Sequence, residues 1–419
     1  MTETGYRLIE RIHQTPHQAV IAVTGGGASA IAKLLAVPGG SRTLLEARVP
    51  YSEAALTDWL GGRRPEQFCT EETALAMASV ALERAGRLQE SAPAAGALPG
   101  QSRPPLVGVA CTASLVSDRP KEGDHRCFIA TQTKSTTRTW SVIFEKEARD
   151  RAGEERLVGN LIVQALASAA GIVDLPPLDV TNREPFVEHL AAAGTLLLEL
   201  LEGKRGIIWS LPGAETIRAP ERRATTADSA AGAIASPSLF ALHGALPFPH
   251  SPPAGLICGA FHPLHQGHRQ LREVAERLLG GPVYYEMSIR NVDKPPLDYL
   301  SIDRRRAQFP QTPLALTAAP TFAEKAAITP GVTFVVGADT AERIIHPRYY
   351  GGSEAMRDGA LRQVRDAGCR FLVAGRKLGE AFQTLSYVRV PAEFSDLFRA
   401  IPEQTFRVDI SSTELRRAE

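Results

Sequence analysis

None of the five cysteines (Cys69, Cys111, Cys127, Cys258, Cys369) belongs to a Cys-x-x-Cys pair. This absence removes the usual zinc and dithiol motifs, and an odd count argues against a complete disulfide framework. Buried thiols in a reducing compartment are the expectation. The chain also lacks an apolar run long enough to span a bilayer. The longest, near Thr195 to Leu201, is broken by Glu199. The opening residues Met1-Thr2-Glu3-Thr4-Gly5 carry no basic segment followed by an apolar core, which is the secretory pattern. Excess charge of one sign is missing too: 47 Lys and Arg stand against 46 Asp and Glu, a formal net charge of +1. Broad attraction to nucleic acid or a membrane is not expected, and any anion binding has to be local. A cytoplasmic protein is expected. No internal repeat of fixed period is visible.

A chain of 419 residues exceeds one ordinary domain. Strand-like and helix-like segments alternate in both halves, which argues for α/β layers. Val20-Ile21-Ala22-Val23 reads as a buried strand, and Thr24-Gly25-Gly26-Gly27 turns it into a helix over Ala30 to Leu35. Leu106 to Ala110 and Phe128 to Thr131 read as strands, and Glu154 to Ala170 as a helix. Between Phe186 and Leu211 the pattern reads as a helix followed by a strand at Gly206-Ile207-Ile208-Trp209. Residues 220–253 are rich in Ala, Ser, Thr and Pro and read as a linker. The expected division is 1–175, a first α/β domain; 176–250, a helix/strand extension with the linker; and 251–419, a second α/β domain.

The densest chemical signal follows the strand Leu256-Ile257-Cys258. Gly259-Ala260-Phe261-His262-Pro263-Leu264-His265-Gln266-Gly267-His268 places two imidazoles three residues apart where a strand turns into a helix. Unpaired N–H groups and the positive dipole end attract phosphate there. A second signal of this type closes the chain: Ile410-Ser411-Ser412-Thr413-Glu414-Leu415-Arg416. Hydroxyls at a helix start cap N–H groups or donate to an anion, and Arg416 is within one turn. Both segments suit one triphosphate, which points to nucleotidyl transfer.

Residues 255–419 resemble the nucleotidyltransferase superfamily with H-x-G-H and I-S-S-T-x-x-R signatures, and most of all its nicotinamide-nucleotide adenylyltransferases. The pattern G-x-F-x-P-x-H-x-G-H is met at Gly259, Phe261, Pro263, His265, Gly267 and His268. Phe334-Val335-Val336-Gly337-Ala338-Asp339 and Asn291-Val292-Asp293-Lys294-Pro295 add two shorter matches. Departures are His262, where many relatives carry Asp or Asn, and Arg343-Ile344-Ile345-His346-Pro347, where relatives place a Trp near the pyridine ring. The resemblance implies a Rossmann-like doubly wound parallel sheet of the HxGH type. It implies His265 and His268 as catalytic residues. It implies ATP binding by Gly259, Phe261, Gly267, Ser411, Ser412, Thr413 and Arg416. Lys294, Gly337 and Asp339 would bind the mononucleotide. ATP, a pyridine mononucleotide and Mg²⁺ are the implied ligands. No nucleic acid and no membrane is expected as partner, and homo-oligomerisation is left open.

Residues from about 17 to 172 resemble the CinA-type nicotinamide-nucleotide amidohydrolases. The matching pieces are Thr24-Gly25-Gly26, Val37-Pro38-Gly39-Gly40-Ser41, Val49-Pro50-Tyr51-Ser52, Leu60-Gly61 and Thr70-Glu71-Glu72-Thr73-Ala74. The resemblance implies hydrolysis of the carboxamide of nicotinamide mononucleotide, with Ser41 as nucleophile and Tyr51 as the family tyrosine. A serine needs a base beside it. The family lysine five residues after the tyrosine is Leu56 here. A domain that keeps the fold without this chemistry is the favoured reading; Lys33 or Lys134 supplying the base in space is the alternative. Competing functions are transfer to another phosphorylated acceptor, hydrolysis at Ser41, and nucleotide sensing without turnover.

Overall fold

A computed structural model describes residues 2–91, 103–119, 122–210, 253–290, 296–378 and 381–408. Lys294, Ser411, Ser412, Thr413 and Arg416 lie outside the described residues, as does the segment read as a linker up to 252. The chain divides into two compact units. Unit 1 is Met1–Ala193 with Lys294–Ser301, and unit 2 is Gly194–Asp293 with Ile302–Glu419.

Unit 1 holds, in chain order, α1 (Glu3–Gln14), β1 (Gln18–Thr24), α2 (Ser29–Ala36), α3 (Gly40–Thr43), β2 (Leu44–Arg48), α4 (Glu53–Trp59), α5 (Glu71–Ser91), β3 (Leu106–Ser114), β4 (His125–Gln132), β5 (Thr136–Phe144), α6 (Arg151–Ala169) and β6 (Phe186–Ala192). Its six strands form one sheet in the order β2-β1-β3-β4-β5-β6. The first three are parallel and the rest antiparallel. Strand β1 is buried along almost its whole length, so it reads as a continuous apolar run rather than an alternating one. Its residues still part by parity. Ala19, Ile21 and Val23 join Leu8, Leu34 and Leu161 of α1, α2 and α6 in one core, while Val20 meets Ala81 and Ala85 of α5 on the other face. Helix α5 lies so close that a Cβ on Gly108 would stand 2.2 Å from the Ala78 carbonyl oxygen.

Unit 2 holds α7 (Thr195–Leu201), β7 (Ile207–Ser210), β8 (Gly255–Cys258), α8 (Gln266–Leu279), β9 (Val283–Ser288), α9 (Tyr299–Arg306, whose later residues fall in this unit), β10 (Leu314–Thr317), α10 (Phe322–Ile328), β11 (Thr333–Gly337), α11 (Ala338–Ile345), α12 (Glu354–Asp366), β12 (Arg370–Ala374), β13 (Arg376–Leu378), β14 (Ala381–Gln383) and β15 (Phe398–Ala400). The sheet order is β15-β12-β11-β8-β9-β10-β7. Every neighbouring pair is parallel except β7 on β10. From β8 the chain winds outward through β9 and β10, then returns to β11 on the other side of β8 and winds the opposite way. The winding reverses at the carboxyl ends of β8 and β11, which is where open sheets of this kind bind ligands.

The segment set apart as an extension is divided between the sheets. The helix read between Phe186 and Leu211 is α7, and ahead of it Phe186–Ala192 adds an edge strand, β6, that was not expected, paired with β5 from Val142↔Phe186 to Thr136↔Ala192. Short apolar runs do not distinguish strand from helix, and the free edge of β5 decides this one. Ile207–Ser210 is the strand β7 expected there, and it borders β10 in unit 2.

Candidate functional site

Gly259 leaves β8 with its N–H donating to the Glu286 carbonyl at 3.0 Å. A Cβ at Gly259 would stand 2.9 Å from the Phe261 ring, so this glycine makes room for an aromatic. Phe261 has φ +47°, a left-handed backbone that bulky residues rarely adopt. Its buried ring meets His268, Tyr285 and Phe309 edge to face, each at 5.3 Å between centroids. The Phe261 side chain is therefore a pillar beneath His268. The loop is clamped by Gln308, whose Nε2 donates to the Phe261 carbonyl at 2.9 Å and whose Oε1 accepts from the Leu264 N–H at 2.7 Å. Arg305 Nη1 donates to the Ala260 carbonyl at 3.1 Å.

His265 caps α8 and His268 lies one turn on. The His265 backbone N–H donates to His268 Nδ1 at 3.2 Å. That bond makes Nδ1 an acceptor and leaves the proton on Nε2, the tautomer assigned by the hydrogen-bond network. The two rings lie 3.9 Å apart between centroids. Burial, followed by His265 and Arg376, pushes the His268 pKa down from 6.5 to about 3. Burial, then Arg376, also lowers that of His265. Both imidazoles are neutral at pH 7, each offering one N–H.

This shift has a consequence for stability. Between pH 6.5 and about 3 the unfolded chain takes up a proton at His268 that the folded chain refuses. The stability it contributes is present above pH 6.5 and is lost as pH falls through that window. The melting temperature of the wild type is expected to drop more steeply from pH 6.5 to 4 than that of His268→Gln. Equal slopes in the two proteins would remove the buried, neutral histidine from the account.

Gly337 ends β11 and Asp339 follows it in the first turn of α11. A Cβ on Gly337 would meet Asp339 Oδ1 at 2.6 Å. Asp339, in the first turn of α11, accepts from Arg376 Nη1 at 2.6 Å. Arg376 follows β12 and acts on both imidazoles; no short motif marked it. A Cβ on Gly267 would stand 2.8 Å from Val408 Cγ1 and 3.0 Å from His265 Nδ1. Val408 thus sits on the first turn of α8, at the end of the described residues. In the stretch without the family's Trp, Tyr349 lies under the guanidinium groups of Arg343 and Arg348, at 5.1 and 4.6 Å.

Unit 1 carries a separate cavity of about 520 Å³ lined by Thr24, Gly25, Gly26, Tyr51, Arg151 and Glu155, among others. Tyr51 is there and Ser41 is not among the lining residues. Arg151 is held by the Gly25 and Val116 carbonyls at 2.9 and 3.0 Å. At the start of α2 the Glu155 carboxylate accepts the N–H groups of Gly27 at 2.7 Å and Ser29 at 2.9 Å. An internal carboxylate thus holds the donors that a phosphate would use. Lys33 donates to Asn160 Oδ1 at 2.8 Å and to the Arg156 carbonyl at 3.3 Å, and Lys134 lies in the turn between β4 and β5. Neither lysine lines the cavity, and Leu56 is buried in the core.

No family model and no curated protein matches the sequence. Solved structures similar to its N-terminal part are CinA proteins. A competence or damage-inducible protein from Enterobacter asburiae is 15% identical, with a TM-score of 0.31, covering 41% of this chain and 98% of that one. The competence/damage inducible protein CihA from Agrobacterium tumefaciens is 16% identical, with a TM-score of 0.29, covering 41% and 97%. A CinA superfamily protein from Escherichia coli is 18% identical, with a TM-score of 0.28, covering 41% and 94%. Among the described residues no helix is long and apolar enough to cross a membrane.

Proposed function

We propose that unit 2 is a nucleotidyltransferase that moves the adenylyl group of ATP onto nicotinamide mononucleotide or its acid form. The observation that carries the proposal is the contacting pair of imidazoles, His265 and His268, at the start of α8, the helix that follows β8 where the sheet's winding reverses. In the proposed reaction an ionised phosphate oxygen of the mononucleotide attacks the α-phosphorus. The bond from that phosphorus to the α–β bridging oxygen breaks, and pyrophosphate leaves with its electron pair. The nucleophile needs no base, so catalysis is positioning and charge stabilisation. The Nε2 proton of His268 suits an oxygen that gains charge during the transfer, and His265 beside it offers a second donor.

Mg²⁺ belongs to the proposal as part of MgATP, where it neutralises phosphate charge and binds few protein groups. Among the described residues no group of three His, Cys, Asp or Glu is placed to hold a metal, and the proposal gives the ion no protein ligand. Gly337 and Asp339 are proposed for the mononucleotide, as is Lys294 on the strength of the sequence resemblance alone. Ser411, Ser412, Thr413 and Arg416 are proposed for the triphosphate; the placement of Val408 beside Gly267 supports this.

The test is pyrophosphate release from MgATP with each pyridine mononucleotide, and with phosphopantetheine, phosphocholine and a sugar phosphate as competing acceptors. Release with a pyridine mononucleotide is expected. Saturable ATP binding without release from any acceptor would make unit 2 a sensor and end the proposal.

For unit 1 we propose an α/β fold without amidohydrolase chemistry. The support is that Ser41 does not line the cavity that holds Tyr51, that Leu56 fills the place of the family base, and that Lys33 is committed to α6. Full-length protein is expected to release little ammonia from nicotinamide mononucleotide. Strong release that vanishes in Ser41→Ala would reverse this reading.

A further inference from the structure

We infer that Arg376 grips the polyphosphate in unit 2, and that Asp339 holds it at the mouth of the site until a polyanion takes over. The identity of that polyanion as the triphosphate of ATP rests on the nucleotidyltransferase reading; the placement of Arg376 does not. The first turn of α11 with Asp339 and the corner between β12 and β13 are bonded to each other through Arg376, and the charge of Arg376 is felt by both histidines in the first turn of α8. Arg376 is the first residue of β13, two beyond the carboxyl end of β12. Gly375 makes the corner tight, because a Cβ there would stand 2.4 Å from the Phe382 ring. The same ring lies 4.9 Å beneath the guanidinium of Arg407, next in sequence to Val408 on α8. The hairpin thereby links the corner to the last described residues of the chain.

Charge explains why a guanidinium belongs here. A bound triphosphate brings several negative charges, and each neutral imidazole offers a donor but no positive charge. Arg376 supplies charge and a planar fork that matches phosphate oxygens two at a time. Its present partner holds it weakly enough to let go. Side-chain exposure is 36% for Arg376 and 30% for Asp339, and an ion pair that open to water contributes little. Asp339 makes its contact through Oδ2, so a ligand phosphate can replace one carboxylate oxygen without moving the backbone. As the α-phosphorus gains its bond to the acceptor and loses its bond to the bridging oxygen, charge grows on the leaving pyrophosphate. Arg376 then donates to those oxygens.

The experiment titrates inorganic tripolyphosphate into the full-length wild type and into Arg376→Gln, Arg376→Lys, Asp339→Asn and His268→Ala, by calorimetry at low and moderate salt. Turnover is measured in parallel. Arg376→Gln is expected to weaken tripolyphosphate binding by roughly 10- to 100-fold and Arg376→Lys by less. Asp339→Asn should bind at least as tightly as wild type, because the latch is gone. His268→Ala should bind like wild type. Unchanged binding in Arg376→Gln, or no binding by wild type, overturns the inference. A loss in Asp339→Asn equal to that in Arg376→Gln overturns the latch. Thermal unfolding of each variant separates lost contact from lost fold, with Arg376→Lys as the conservative check. Tripolyphosphate results as expected, with no pyrophosphate released by wild type from any acceptor, would end the transferase reading and leave Arg376 as a polyphosphate ligand.

Discussion

His268→Ala is expected to lower kcat for pyrophosphate release by about 10²- to 10³-fold, the usual cost of removing one donor aimed at transition-state charge. His268 is the better oriented of the two histidines. Its Nδ1 is fixed by the His265 N–H, its ring lies against the edge-packed Phe261, and its backbone carbonyl accepts from the Tyr285 hydroxyl at 3.3 Å. Nothing in that support has to reorganise when charge develops, which makes the donor effective. An interaction made only in the transition state lowers kcat and kcat/KM together. ATP affinity should therefore change little while turnover collapses. A rise in KM with kcat intact would assign His268 to ground-state binding. A change in turnover below about threefold would remove it from the chemistry.

Lys325→Met is expected to destabilise unit 2 by about 3–5 kcal/mol, the cost of leaving a buried charge without its partner. Lys325 Nζ stands 2.6 Å from Glu286 Oε1. The side chains are 7% and 1% exposed, so water cannot take the lysine's place. Thr317 Oγ1 donates to the same oxygen at 2.5 Å. Together these bonds tie α10 to β9 and β10. The Cys258 thiol shares this environment: burial first, and then the Glu286 charge, push its pKa well above the ordinary range. Adding Glu286→Leu to Lys325→Met is expected to recover much of the loss, since no charge is then left in the core. Urea unfolding with an unchanged slope is the measurement. A loss under about 1 kcal/mol in the single variant would mean that Glu286 finds another partner or takes up a proton at little cost.

Much of the architecture was legible because it is local. The stretch from Leu256 to His268 announced a strand, a tight turn and a helix start, and β8 and α8 form there. The Thr24–Gly27 turn between β1 and α2 was legible for the same reason. The glycines were harder to interpret. Gly259 was read as an ATP-binding residue, and sequence gave no sign that the space of its missing Cβ is taken by the Phe261 ring. Asp339 was read as a mononucleotide ligand, and nothing in sequence announced that its side-chain partner is Arg376, far along the chain. In unit 1, Thr24-Gly25-Gly26-Gly27 was read as the turn from strand to helix, with no sign of what meets its N–H groups. Glu155, from a helix more than a hundred residues on, occupies its donors. A carboxylate on a helix gives no sign in sequence of whether it faces water or a distant loop. Glu154, beside it, is wholly buried against the Val116 N–H and His125.

By itself the sequence determined which segments could form strands and helices, and that two imidazoles would crowd the start of one helix. Those outcomes depend on residues within a turn or two of each other, where spacing and backbone preference act without help. Tertiary structure alone decided which strand borders which, that β6 and β7 join different sheets, and that Arg376, Gln308 and Glu155 arrive where they do. Pairing of distant segments depends on free sheet edges, shape and the satisfaction of buried charge, and those are properties of the folded chain.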